Sequence, residues 1–360
     1  MSYKNLQNCL KFSSLVLALL LLQPAFAQHA PKPGDALPPF PALDDYLAKN
    51  QKQLGGDVIT MLYHDGKVIY KKELNKEFTG KTQAPIAASS KWLTAALVMM
   101  FVQDGKISLD DPVTKYIPVY TAYSKRYITI RNCLTNTTGI HAEEPGLKAV
   151  LSGKKYPTLE DEAIGFAKKE IERNPGEIFF DSNIGLNIAG RILEIVGKKP
   201  FDRLISERLL RPLKMRQTSF YLDYDKSINP SGGAQSTAND YLNFLVMMLN
   251  KGTFEGKRLL TEKSVAEMEK VQTGTAVVKY APEVVKGYGY GFGDWIMEKD
   301  ASGAGTVVSC PGLYGTFPLV DYCRGYALLV FTRTLTAEQK QAWYLGLLEV
   351  VNTQLPSNCK

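Results

Sequence analysis

The sequence predicts an α/β (α+β) fold, an antiparallel sheet flanked by helices with a mostly helical lobe set between its two halves. Three observations predict it. Val58 to Tyr63 and Lys67 to Leu74 are rich in β-formers and flank His64-Asp65-Gly66, a hairpin signal. From about residue 105 to 285 helical patterns and loops dominate. After Gly287 strand patterns return in Y-G-Y-G-F-G-D-W-I-M, G-T-V-V-S-C and Y-A-L-L-V-F-T, and a helix over about Thr336 to Asn352 follows them. The α/β lobe therefore takes residues 41–104 and 286–360, and the helical lobe residues 105–285.

Taken in order, the chain begins with Lys4 and Lys11 ahead of a leucine-rich run from Leu15 to Leu22 and the sequence Ala25-Phe26-Ala27. That is the pattern of a signal peptide over residues 1–27, with an A-x-A-type cleavage site before Gln28. The apolar run is too short to span a bilayer. Cys9 lies upstream of it, which argues against a lipoprotein. The expectation is a secreted, periplasmic protein without a stable membrane anchor. Residues 28–40 are proline-rich and read as an extended lead-in. Residues 42–54 look helical. Thr158 precedes an acidic first turn and an amphipathic run, a helix start. Further helices are expected over Asn183 to Val196 and Ala238 to Asn250.

Composition narrows the function classes. A chain of 360 residues with 45% hydrophobic and 22% charged residues can build a large core. The formal charge is +7, of which the leader lysines supply two, and basic residues are interleaved with acids. That reads as a solvated surface, not a nucleic-acid patch. Three scattered histidines argue against a metal enzyme, and no cofactor motif stands out.

The most informative stretch runs from Ile86 to Pro112, I-A-A-S-S-K-W-L-T-A-A-L-V-M-M-F-V-Q-D-G-K-I-S-L-D-D-P. Residues i and i+3 of a helix share a face. A serine three positions before a lysine is thus placed to be activated by it, the Ser-x-x-Lys arrangement. Three before Lys91 stands Ala88. Ser89 and Ser90 lie off that face; taken alone, A-A-S-S-K would be a capped helix start. The apolar helix that follows (Trp92, Leu93, Ala96, Leu97, Met100) makes burial of Lys91 the expectation.

The longer string resembles the class C β-lactamase, penicillin-binding-protein and esterase superfamily, in which the same helix leads into D-G-K-L-S-L-D-D-P-V. The resemblance continues along most of the chain. Ile130 to Ile140 is similar to the family's L-L-x-H-T-S-G-L segment, and Pro175 to Glu194 to P-G-x-x-F-x-Y-S-N-x-G. Arg208 to Met215 and Gly232 to Phe244 also match, and Ser309 to Asp321 matches the strand that closes the site. The resemblance implies a serine β-lactamase/transpeptidase-like fold. It also implies acyl transfer through an acyl-serine, opening an ester, lactam or peptide bond, with no cofactor. The partner it implies is a small-molecule or peptide acyl compound in a cleft between the lobes; the protein is expected to be a monomer.

The same resemblance assigns the site position by position. Lys91 matches fully. Ala88 occupies the nucleophile position and lacks the hydroxyl, though its N–H remains available to an oxyanion hole. Asp181 stands where the Y-x-N tyrosine belongs, and Asn183 matches the asparagine that touches the substrate amide. A carboxylate beside Lys91 would form an ion pair, which opposes a neutral lysine acting as base. Cys310 stands at the Lys or His position of the closing strand, followed by Gly312 and Leu313. A thiol nucleophile at Cys310 would lack a neighbouring histidine and face the site from the wrong side. These departures give two expectations, an impaired serine hydrolase or a pseudoenzyme that binds a peptide, glycan or protein partner.

Four cysteines follow the leader, Cys133, Cys310, Cys323 and Cys359, and the sequence alone allows three full pairings. With the family topology, the last strand (Tyr326 to Thr332) runs about 23 Å and the last helix about 26 Å. The helix can return alongside the strand and bring Cys359 to Cys323, the pairing expected.

Overall fold

The computed structural model describes residues 39–143, 156–220, 228–335 and 340–359. The expected signal peptide and nearly all of the extended lead-in lie outside the described residues. Helix α1 (Pro41–Asn50) starts with a proline, whose fixed φ suits the first turn, and buries Leu43 and Leu47. It ends four residues earlier than expected, the chain to Leu54 being turns. Strands β1 (Val58–His64) and β2 (Lys67–Glu73) form the expected hairpin. Asp65 and Gly66 take the positive φ values, 48° and 78°, that such a two-residue turn requires.

The remaining strands of the main sheet come from the far end of the chain: β3 (Gly289–Tyr290), β4 (Trp295–Lys299), β5 (Gly305–Ser309), β6 (Phe317–Asp321) and β7 (Tyr326–Thr332). The seven strands lie in the order β2-β1-β7-β6-β5-β4-β3, with every neighbouring pair antiparallel. Strand β7 is buried along its whole length. Its period-2 alternation divides it between two cores. Tyr326, Leu328 and Val330 face the core shared with α1 and with α8 (Gln341–Asn352). Ala327, Leu329 and Phe331 face the core that contains α2 (Ser90–Gln103) and α6 (Ala238–Leu249).

The run Tyr288 to Met297, expected as one strand, is two. The turn Gly291–Asp294 divides it, closed by the Gly291 N–H donating to the Asp294 carbonyl at 2.9 Å. Gly293 has φ +80°, and a Cβ there would lie 2.6 Å from the Lys91 carbonyl oxygen. The turn is therefore where the sheet edge presses against the start of α2.

Between the two groups of strands lie α3 (Ile130–Leu134), α4 (Leu159–Lys168), α5 (Ile184–Gly197), α6 and α7 (Glu262–Met268). Threonines begin four of the five, since the hydroxyl accepts from an otherwise orphaned N–H of the first turn. They are Thr129, Thr158, Thr237 and Thr261. Short strand pairs not foreseen in the sequence also occur here, Ile178–Phe180 beside Val277–Tyr280 and Ala84–Pro85 beside Gln235–Ser236. Helix α2 is buried at every residue from Ser90 to Phe101, an all-round burial that marks it as the central helix.

Cys323, in the turn between β6 and β7, is joined to Cys359 beyond α8, with their Cα atoms 5.0 Å apart. That separation lies within the ordinary disulfide range, and the pairing is the one expected. Cys133 and Cys310 are free and buried.

Candidate active site

The chain enters α2 through a tight 3-10 turn, Ala87–Ser89. Ala87 has φ +45°, a left-handed conformation costly for a residue with a Cβ. Several contacts hold it. The Ile86 N–H donates to the Ala234 carbonyl at 3.0 Å. The Ala234 N–H donates to Ser90 Oγ at 3.1 Å, and the Tyr241 hydroxyl to the Ser89 carbonyl at 2.8 Å. From the opposite side Gly312 approaches so closely that a Cβ on it would lie 2.2 Å from the Ile86 carbonyl oxygen. The start of α2 is thus clamped between the α6 entrance and the chain that follows β5.

Ala88 sits in this turn, partly exposed, one helical turn before Lys91. Ser89 donates its hydroxyl to the Cys310 carbonyl at 2.7 Å. Ser90 is occupied with Ala234. Neither serine caps the helix, and both are fully buried. The hydroxyls nearest the empty nucleophile position are therefore consumed by the scaffold.

Lys91 is 5% exposed and Asp181 7%, and their side chains meet in an ion pair. Asp181 is placed by the strand Ile178–Phe180, and its own N–H donates to the Tyr280 carbonyl at 3.1 Å. The Asn136 side-chain amide adds a hydrogen bond to Asp181 Oδ1 at 3.2 Å and another to the Tyr290 hydroxyl at 3.1 Å. Asn136 has φ +53°, a conformation asparagine tolerates better than most residues. Tyr290 stands on β3 among Phe179 and Trp295, with ring centroids 5.0 and 4.7 Å away. Burial raises its phenol well above the ordinary tyrosine range, so it stays neutral.

Cys310 follows β5 and donates its Sγ–H to the Ala88 carbonyl at 3.2 Å. Burial pushes this thiol up, opposed only in part by the nearby Lys91. It is a protonated, enclosed thiol, the opposite of the exposed thiolate a nucleophile needs. The Gly312 N–H donates to the Thr316 carbonyl at 2.8 Å within the turn to β6, and Leu313 is exposed. Asn183 is exposed at the start of α5. Its carbonyl accepts from Ser231 Oγ at 3.0 Å, and its side-chain amide makes no hydrogen bond among the described residues.

The structure thus brings together Ala88, Lys91, Asp181 and Cys310, with Gly312 packed behind the 3-10 turn. Asn183 and Leu313 are the exposed members. The sequence reading missed Asn136 and Tyr290. Asn136 stands at the histidine of the L-L-x-H-T-S-G-L segment, which was the available signal. Tyr290 gave none, because it reaches the site only through the folding of the sheet.

Taken together, sheet, central helix and the Lys91 turn define a protein of the serine β-lactamase and penicillin-binding-protein-like class. The Beta-lactamase family model matches residues 43–350. The chain belongs to the Beta-lactamase family of β-lactamase-related hydrolases. It is similar to the crystal structure of a putative beta-lactamase from Bacteroides dorei, with 25% identity, a TM-score of 0.77, and coverage of 88% of this chain and 98% of that one. A Mycobacterium tuberculosis protein, Rv1367c, is 26% identical over 300 residues, covering 66% of this chain and 73% of that protein. Protein flp of Staphylococcus aureus is 30% identical over 142 residues, 39% of this chain. The match spans only 28% of that relative's length.

Proposed function

We propose that this chain has lost acyl-serine chemistry and uses the retained cleft to bind a small-molecule or peptide acyl compound. The single observation that carries the reading is the buried Lys91–Asp181 ion pair one helical turn after Ala88. An acyl-serine route needs a hydroxyl and a base to take its proton. Ala88 supplies no hydroxyl. Asp181 stands where a phenol is expected, so the tyrosine base of the family is missing, and its carboxylate takes up the Lys91 side chain in an ion pair. Ser89 and Ser90 donate to or accept from the backbone, and restoring either as a nucleophile would unclamp α2. What remains for ligand recognition is the exposed Asn183, the Ala88 N–H and the Leu313 lip, a set suited to gripping an acyl or carboxylate group. Export to the periplasm is part of the proposal, supported by the leader pattern of residues 1–27, and a monomer suffices for this role.

The reading is tested by incubating the protein with labelled penicillin, fluorophosphonate and p-nitrophenyl esters. No covalent adduct and no turnover of nitrocefin or ester is expected, alongside measurable reversible binding of a peptide or acyl ligand. An adduct mapped to a serine would overturn it.

A further inference from the structure

We propose that Glu269 holds a proton in the folded protein and acts as a pH-sensitive latch joining the ends of α6 and α7 to the turn between β6 and β7. The argument begins with a count of protons. The Tyr322 hydroxyl lies 3.0 Å from the Met248 carbonyl oxygen in α6 and within hydrogen-bond reach of the Glu269 carboxyl just after α7. A phenol has one proton, and the Met248 carbonyl can only accept it. Both contacts are satisfied at once when the Glu269 carboxyl carries its own proton and donates to Tyr322 Oη, while Tyr322 donates to Met248. An ionised Glu269 would compete with the Met248 carbonyl for the single phenolic proton.

The surroundings support the same state. Glu269 is 2% exposed. The cation facing it, Lys251 beyond α6, has Nζ 3.8 Å from Oε2 and 3.0 Å from the centre of the Tyr322 ring. Lys251 is itself held below its ordinary range by burial, with the charges of Glu269 and then Glu262 acting in the other direction. From the β3–β4 turn comes a second buried acid, Asp294, whose ionisation burial opposes first and the charge of Glu269 opposes next. Burial raises Glu269 to about 8, against the weaker pull of Lys251 and Tyr322.

The latch sits at a junction. The Glu269 carbonyl accepts from the Gly305 N–H at 2.8 Å, and the Met268 carbonyl from the Phe292 N–H at 2.8 Å. The second bond holds the turn whose Gly293 presses on the Lys91 backbone. Loss of the Glu269 proton therefore loosens contacts directly behind the start of α2.

The sign of the pH effect follows from linkage. The unfolded carboxyl titrates near 4.5 and the folded one near 8. The stabilisation is fully present below the lower value and is lost as pH rises toward the upper one. Infrared spectra of the intact protein carrying carbon-13 glutamate separate its carboxyls from those of aspartate. A protonated glutamate carbonyl band is expected at neutral pH, disappearing as pH passes through about 8. In Glu269→Gln, whose amide mimics the protonated acid, that band is expected to be missing. Its thermal midpoint is also expected to fall less steeply between about pH 5 and pH 8 than that of the unaltered protein. Asp294, held protonated first by burial, supplies a remaining slope in Glu269→Gln, altered there by the absence of the Glu269 charge. Absence of a protonated glutamate band at neutral pH, or equal slopes in the two proteins, would overturn the proposal. The spectrum of the unaltered protein decides the matter even if Glu269→Gln does not fold.

Discussion

At the scale of residues, the candidate site turns on what stands opposite Lys91. Buried charges are costly unless paired, and Asp181 pairs this one. Introducing a hydroxyl without changing that partner leaves Lys91 tied into the ion pair and the tyrosine position without a phenol. Ala88→Ser alone is therefore expected to stay inactive toward p-nitrophenyl esters. Ala88→Ser with Asp181→Tyr is expected to create ester turnover about a hundredfold above background, the lower end of the range for placing one general base. Equal activity of the single and double variants would show that Asp181 does not hold back the chemistry. Lys91, Ala88 and Asp181 were legible in the sequence because each lies at a fixed offset within a short motif. Asn136 also holds a fixed place in a motif, but that motif does not show what it touches, and Tyr290 lies in none. Asn136 lies 45 positions from Asp181 and 154 from Tyr290, and it touches both only through tertiary structure.

At the scale of elements, the entrance to α2 depends on the residue that closes on it from the end of β5. A Cβ at position 312 would meet the Ile86 carbonyl oxygen at 2.2 Å and Ser89 Oγ at 2.9 Å. Backbone cannot yield as a flexible side chain can. Gly312→Ala is expected to cost about 1–3 kcal/mol, the usual range for overpacking, read from urea unfolding. It should also displace the Ser89–Cys310 hydrogen bond, which a crystal structure of the variant would reveal. Threonine caps and the Asp65-Gly66 turn could be read from composition and order, because a cap or a two-residue turn is decided by a few adjacent residues. The break at Gly291–Asp294 could not. Tyr-Gly-Tyr-Gly-Phe-Gly alternates like a strand, and the reason it stops is the Lys91 backbone on another element.

At the scale of the whole molecule, a cross-link ties the final helix to the sheet it covers. The Cys323–Cys359 disulfide closes a loop of 36 residues. A chain-entropy estimate gives about 4 kcal/mol for a loop of that length. Cys323→Ser with Cys359→Ser is expected to lower stability by up to about that amount, measured by denaturant unfolding with and without reductant. Reductant should destabilise the parent protein and leave the double variant unchanged. The order of the longer helices and of β1, β2, β5 and β7 was legible because periodicity marks those segments. The pairing of β1 with β7 was not legible, since nothing in either strand names its distant partner.

That pairing has a temporal side. Val58 lies opposite Thr332, and His64 opposite Tyr326. On a ribosome, the β1–β2 hairpin emerges well before β7 and cannot form this pairing until residues 326–332 have been synthesised. Such long-range closure makes sheet formation slow. The nascent chain must carry β1 with one edge unpaired throughout the synthesis of the helical segment between the two strands.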